Sequence, residues 1–220
     1  MYTLEAIKIS KNYAQGGKSL EILKNLDLQI KHGETVSIVG QSGSGKSTLL
    51  SVLAGLDSVD SGKILINSQE ISQFNEKELC DFRAQNVGIV FQQYHLMPHL
   101  NALENVMLPL EIAKNKEAKA LSEKILSDFG LLDRMTHMPH QLSGGESQRV
   151  AIARAMVHSP KIIFADEPSG NLDTQTGVTV MNLLFKEIKK QKISLVLVTH
   201  NNDLANECDI KLKLQDGKLI

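Results

Sequence analysis

Nine consecutive residues, Gly40, Gln41, Ser42, Gly43, Ser44, Gly45, Lys46, Ser47 and Thr48, carry the clearest chemistry in this chain. Gly40, Gly43 and Gly45 let successive backbone N–H groups turn toward one anion. The positive end of a helix that starts near Lys46 points at the same place. Lys46 is placed to reach β- and γ-phosphates, Ser47 offers a hydroxyl to Mg²⁺, and Thr48 can bond an α-phosphate oxygen. A second anion-seeking stretch lies far downstream, from Gln141 to Arg149, reading Gln-Leu-Ser-Gly-Gly-Glu-Ser-Gln-Arg. Ser143 to Glu146 forms a capping box that opens a helix, and Ser143, Gly144 and Gly145 expose unpaired N–H groups at its positive end without a lysine of their own.

Other candidates sit where apolar runs stop. Asp166 and Glu167 close the run 161–165. A carboxylate at a strand end beside a phosphate loop can hold Mg²⁺ through water, and an adjacent one can polarise the attacking water; a salt-bridging pair is the alternative. Gln92 follows the run 87–91; its amide can reach Mg²⁺ or the attacking water, or it is a solvated loop glutamine. His200 follows the run 195–198; it can contact a γ-phosphate, or it is an ordinary strand-end histidine with no such role. Tyr13, just before a polar turn, is either a half-buried packing residue or a ring that stacks on adenine. His95, His99, His137 and His140 form two spaced pairs, but no Cys or Asp accompanies them at ligand spacing, which makes them loop histidines.

These residues need a sheet that delivers them to one edge. The run Thr35 to Val39 leads straight into the glycine loop, and Leu49, Leu50, Leu53 and Leu56 then recur at helical spacing, so the order is strand, loop, helix. With the runs at 87–91, 161–165 and 195–198, this gives four buried strands that each end at a candidate residue. Ligands of open parallel sheets bind beyond such carboxyl ends. Further strands are expected at 4–10, 20–30, 63–66 and 210–214, with a polar turn at Ala14 to Lys18 and another at Asp216-Gly217. Helices are expected at 75–84, 101–113 and 116–129, the last two with no strand between them, which marks an inserted helical piece. Val150, Ala153, Met156 and Val157 mark the apolar face of the next helix. Val178, Met181, Leu184, Phe185 and Ile188 mark that of another, which follows a tight loop at Ser169 to Asp173.

At 220 residues the chain can bury a full α/β core without disulfides. Its 24 basic and 25 acidic residues nearly cancel, so no global field favours nucleic acid. Cys80 and Cys208 are the only cysteines and read as ordinary thiols of a reducing compartment. The first ten residues have no signal-peptide pattern, and no run reaches the roughly 18 apolar residues of a membrane span. The expectation is a cytosolic chain whose membrane, if it works at one, is supplied by another chain.

Over nearly its whole length the sequence resembles the ATP-binding subunit of ABC transporters. The resemblance implies an α/β P-loop NTPase with a RecA-like parallel core sheet, an antiparallel β subdomain and an inserted α-helical subdomain. Residues 1–92 and 159–220 would form the nucleotide-binding core and about 93–158 the helical subdomain of a single 1–220 domain. Gly40 to Thr48 becomes the Walker A loop, Gln92 the Q-loop glutamine, Leu142 to Glu146 the signature, Asp166 and Glu167 the Walker B pair, His200 the switch histidine and Tyr13 the adenine-stacking residue. Mg-ATP is the implied ligand, held by Ser47, Gln92 and Asp166 through the metal, with Glu167 as general base and His200 positioning the γ-phosphate. Two copies would pair head to tail, so that Ser143, Gly144 and Gly145 of one complete the phosphate cage of the other, and the homodimer would drive integral-membrane permease subunits from the cytoplasmic face of the inner membrane.

The stretch Ala165 to Asp173, Leu103 to Val106 and the Gly-Glu signature resemble the bacterial lipoprotein-releasing and macrolide-exporter branch, whose permeases carry a large extracytoplasmic domain. Glu146 stands where the family usually has glutamine, and Gly170-Asn171 where it has Ser-Ala. The chain ends at Ile220, leaving little for a regulatory C-terminal domain. A regulatory ABC ATPase of an envelope or cell-division complex would show the same motifs.

Overall fold

The computed structural model describes residues 1–15 and 18–220, so the polar turn expected around Gly16-Gly17 lies outside the described residues. In chain order the elements are β1 (Tyr2–Gln15), β2 (Lys18–Lys31), β3 (Thr35–Val39), α1 (Lys46–Leu53), β4 (Ser61–Ile66), β5 (Gln69–Glu70), α2 (Glu76–Asn86), β6 (Val87–Val90), α3 (Ala102–Ile112) and α4 (Ala118–Asp128). They continue with α5 (Gly144–Met156), β7 (Ile162–Asp166), α6 (Thr174–Gln191), β8 (Ser194–Val198), α7 (Asn202–Asn206), β9 (Ile210–Gln215) and β10 (Lys218–Leu219).

Five strands run parallel in the order β9-β3-β8-β7-β6, with β10 antiparallel on the β9 edge. A second, antiparallel sheet has the order β2-β1-β4-β5. The parallel strands are apolar on both faces, and their period of two sorts the side chains. Ile162, Phe164, Val196 and Val198 join Leu49, Leu50 and Leu53 of α1 in one cluster, while Ile163, Ala165, Leu195 and Leu197 join α5 and α6 in the other. Each large apolar side chain fully buried in this way contributes about 1.5–3 kcal/mol relative to exposure.

Because β8 inserts between β3 and β7, the ends of β3, β8, β7 and β6 lie side by side, which brings four segments distant in sequence to one edge. The helical stretch expected between the third and fourth of these strand ends is α3, α4 and α5. Asn101 and Ser143 start α3 and α5 with complete capping boxes. Val150, Ile152, Ala153 and Met156 of α5 are continuous with Val180, Met181 and Leu184 of α6, so this piece is packed onto the sheet through a shared apolar layer.

Three expectations from the pattern need correction. β1 runs well beyond 4–10, to Gln15, while β2 exceeds 20–30 by only one or two residues at each end, because the hairpin is carried past the core by ladder hydrogen bonds while Tyr13 stays exposed. Leu56 is not on α1: the helix ends at Leu53, Gly55 takes a left-handed φ of 66°, and Leu56 is exposed. Val178 is likewise exposed, since the buried stripe of α6 runs through Gly177, Val180, Met181, Leu184 and Ile188.

Candidate active site

β3 feeds the glycine loop, and α1 starts from Gly45 at a φ of 95° with no side-chain cap, leaving its first N–H groups without a side-chain partner. A side chain at Gly40 would meet the Leu214 carbonyl oxygen at 2.6 Å, so the loop closes tightly on β9. Lys46 Nζ donates to the Gly40 and Gln41 carbonyls, at 2.9 Å each, and is held over the loop. A cavity of about 450 Å³ opens there. Its walls include Gly40, Ser42, Gly43, Gly45, Lys46, Ser47 and Thr48, and from the other strand ends Gln92, Asp166, Glu167 and His200. Gln41 and Ser44 line a neighbouring cavity with Ser42 and Gly43.

Asp166 is the last residue of β7, and burial pushes its carboxyl above the usual range, opposed by the Ser47 hydroxyl. Its Oδ1 is buried without a hydrogen-bond partner among the described residues. An acceptor-only oxygen so placed suits a cation. Glu167 sits at a φ of 46°, a left-handed conformation that costs a residue with a Cβ. Its N–H donates to the Val198 carbonyl at 2.9 Å, and its carbonyl accepts the Gly170 N–H, so the bend is fixed from both sides. The Glu167 carboxylate, only 17% exposed, has Oε2 2.9 Å from His200 Nδ1. Two residues expected to act separately are thus directly paired.

Ser143, Gly144 and Gly145 do not line this cavity. They start α5 elsewhere in the same chain: Ser143 accepts the Glu146 N–H at 3.2 Å, and Glu146 accepts the Ser143 N–H at 2.8 Å. Tyr13 lies outside the cavity too, with the residue 42% exposed and its hydroxyl donating to Asp57 at 2.5 Å. That hydrogen bond to the carboxylate, first, raises the Tyr13 pKa above the usual range.

Residues 23–170 match the family described as ABC transporter. The chain belongs to the ABC transporter family. This ABC transporter chain is 46% identical to the lipoprotein-releasing system ATP-binding protein LolD of Treponema denticola, over 96% of its own length and 94% of that protein. It is 45% identical to the uncharacterized ABC transporter ATP-binding protein YbbA of Escherichia coli strain K12, over 98% and 96%. A solved dimeric structure of the ATP-binding cassette MJ0796, in a post-hydrolysis state bound to ADP and Pi, superposes with a TM-score of 0.90 at 39% identity, covering 98% of this chain and 96% of that one. The family resemblance carried by the motifs therefore holds, and with it the α/β P-loop NTPase fold.

In this ABC chain several partners of the motif residues escape local pattern reading. Lys11, almost wholly buried on β1, donates to Asp57 at 2.8 Å and to the Ser58 carbonyl at 2.7 Å, which fixes the carboxylate that holds Tyr13. A lysine on the inward face of an apolar strand was the available signal. Arg154 of α5 donates to the Tyr94 and His95 carbonyls at 2.9 and 2.7 Å, tying the segment after Gln92 to the helix that Ser143 opens. Arg134 Nε donates to Glu146 at 2.7 Å.

The Ser143 N–H, and after it Arg134, hold the Glu146 carboxyl down to about 2. The charge is thereby turned back onto its own helix start and away from the glycine N–H groups. Glu146→Gln should retain at least about half of wild-type turnover, since a glutamine Oε1 still accepts the Ser143 N–H. A hundredfold loss in a phosphate-release assay would instead give Glu146 a direct task. Because the folded pKa lies below the unfolded one, the stabilisation is fully present above about 4.5 and is lost as pH falls toward about 2. The gap in thermal midpoint between wild type and Glu146→Gln should narrow correspondingly.

Proposed function

We propose that this chain is the ATP-hydrolysing, energy-coupling subunit of a bacterial ABC transporter, working as a head-to-tail dimer that closes on ATP and drives a membrane permease of the lipoprotein-release or macrolide-export type. One observation carries the reading. A single cavity gathers Lys46, Gln92, Asp166, Glu167 and His200, while the second anion-seeking helix start, at Ser143 to Gly145, lies outside it. A second copy related by a twofold axis can bring that start to the cavity's mouth, giving two composite sites. The likeness to a dimeric cassette bound to ADP and Pi supports the same arrangement.

On this reading residues 1–92 and 159–220 bind the nucleotide and about 93–158 transmit its state. The loop N–H groups from Gly40 to Thr48 and the start of α1 hold the phosphates, and Lys46 exchanges its two carbonyl contacts for phosphate oxygens. Ser47, Gln92 and Asp166 hold Mg²⁺, the partnerless Asp166 Oδ1 being the atom that best fits it. Mg²⁺ supplies positive charge to the phosphate oxygens. Glu167 takes the proton of the water that attacks the γ-phosphorus as the bond to the β-phosphate oxygen breaks, and His200, paired with Glu167, contacts the γ-phosphate. Tyr13 stacks on adenine, and Ser143, Gly144 and Gly145 of the partner copy close the cage. Among the described residues no helix is long and apolar enough to cross a membrane. On this reading the permease, which carries a large extracytoplasmic domain, holds the chain at the cytoplasmic face of the inner membrane.

Phosphate release by the purified protein tests this. Shared sites require specific activity to rise with protein concentration before it levels off, and to vanish when Mg²⁺ is chelated. Specific activity independent of concentration down to nanomolar protein would point to sites complete within one chain.

A further inference from the structure

Gln92 is fixed in place by a residue of the loop that follows the carboxylate pair. Its Nε2 donates to Asn171 Oδ1 at 3.2 Å, and Asn171 Nδ2 donates to the Gln92 backbone carbonyl at 3.0 Å. The chemistry of the pair sets its polarity. A backbone carbonyl can only accept, so Asn171 must turn its Nδ2 to it; Asn171 Oδ1 then calls for the Gln92 Nε2. That leaves Gln92 Oε1, the one side-chain atom able to ligate a cation, outside the pair. Asn171 itself stands on a rigid turn, since the Gly170 N–H donates to the Glu167 carbonyl at 2.9 Å and Asp173 caps α6 by accepting the Thr176 N–H at 3.0 Å. Gly170 completes the fit: a Cβ there would lie 2.8 Å from Gln92 Nε2. The two residues that depart from the family's Ser-Ala thus have one purpose, one leaving room for Gln92 and the other bonding it.

We propose that Asn171 is a positioning residue that orients Gln92 with its Oε1 free for the catalytic cation, linking the loop after Glu167 to the loop after β6 within one chain. The proposal rests on the reading of Gln92 as a metal ligand. Losing the pair should cost what hydrogen bonds of this kind contribute, about a two- to tenfold rise in the half-saturating metal concentration. Two readouts measure it: the Mg²⁺ dependence of phosphate release, and Mn²⁺ binding to the ATP-loaded Glu167→Gln protein followed by electron paramagnetic resonance.

Asn171→Ala should raise both midpoints, leave turnover at saturating Mg²⁺ within about twofold, and add nothing in a Gln92→Ala background. Gly170→Ala, which displaces Gln92 by contact while Asn171 remains, should shift them the same way. If Gln92→Ala raises the midpoints and Asn171→Ala does not, the positioning role is wrong and the ligand reading stands. An Asn171→Ala shift that persists without Gln92 overturns the role as well, by showing that Asn171 acts elsewhere. If Gln92→Ala leaves both midpoints unmoved, Gln92 is not a ligand and the proposal falls with that reading.

Discussion

Glu167→Gln should bind ATP normally and hydrolyse it at least about a hundredfold more slowly, since loss of a general base costs roughly 10² to 10⁴ in rate. The geometry isolates the effect. Glu167 is held by its backbone, through a left-handed φ and two hydrogen bonds that the substitution does not touch. A glutamine Oε1 can still accept from His200 Nδ1 in place of the present 2.9 Å pair. What disappears is the ability to take a proton. ATP-bound dimer should therefore accumulate, visible as a shift in sedimentation from monomer to dimer on adding Mg-ATP. Turnover within a fewfold of wild type would remove Glu167 from the role and leave His200 or a phosphate oxygen as the proton acceptor.

What was legible in the sequence was whatever is written in neighbouring residues. The strand before Gly40, the helix after it and the capping box at Ser143 and Glu146 are local patterns, and each appears where the spacing put it. Strand ends were legible too, because a buried parallel strand must stop where polar residues resume, as at Asp166. Contacts between distant segments were not. Gln92 and Asn171 are 79 positions apart, and Lys11 and Asp57 are 46 apart. Nothing in the composition around Asn171 announces a partner; only the strand order that sets β6 beside β7 brings the two loops together. Glu167 and His200 were each singled out, yet their pairing depends on β7 lying against β8. The outer part of the first hairpin failed for a different reason. Tyr13 lies beyond the core, where pairing of the backbone leaves no hydrophobic pattern to read.

The central claim, that the helix start at Ser143 serves the nucleotide of another copy, can be read as a covalent bond. Cys80 is exposed, and Cys208 is half-buried with its thiol pushed up to about 12 by burial; both are first changed to Ser. One population then carries Ser44→Cys in the glycine loop and a second, differently tagged, Leu142→Cys before the signature, both in the Glu167→Gln background. A disulfide needs Cα atoms about 4.4 to 6.8 Å apart, so its formation reports apposition rather than loose association. Oxidising the mixture with Mg-ATP should give a product carrying both tags, and omitting nucleotide should sharply reduce it. If ATP gives no such product, while a single chain carrying both cysteines links internally, the signature acts within its own chain and the head-to-tail dimer is wrong.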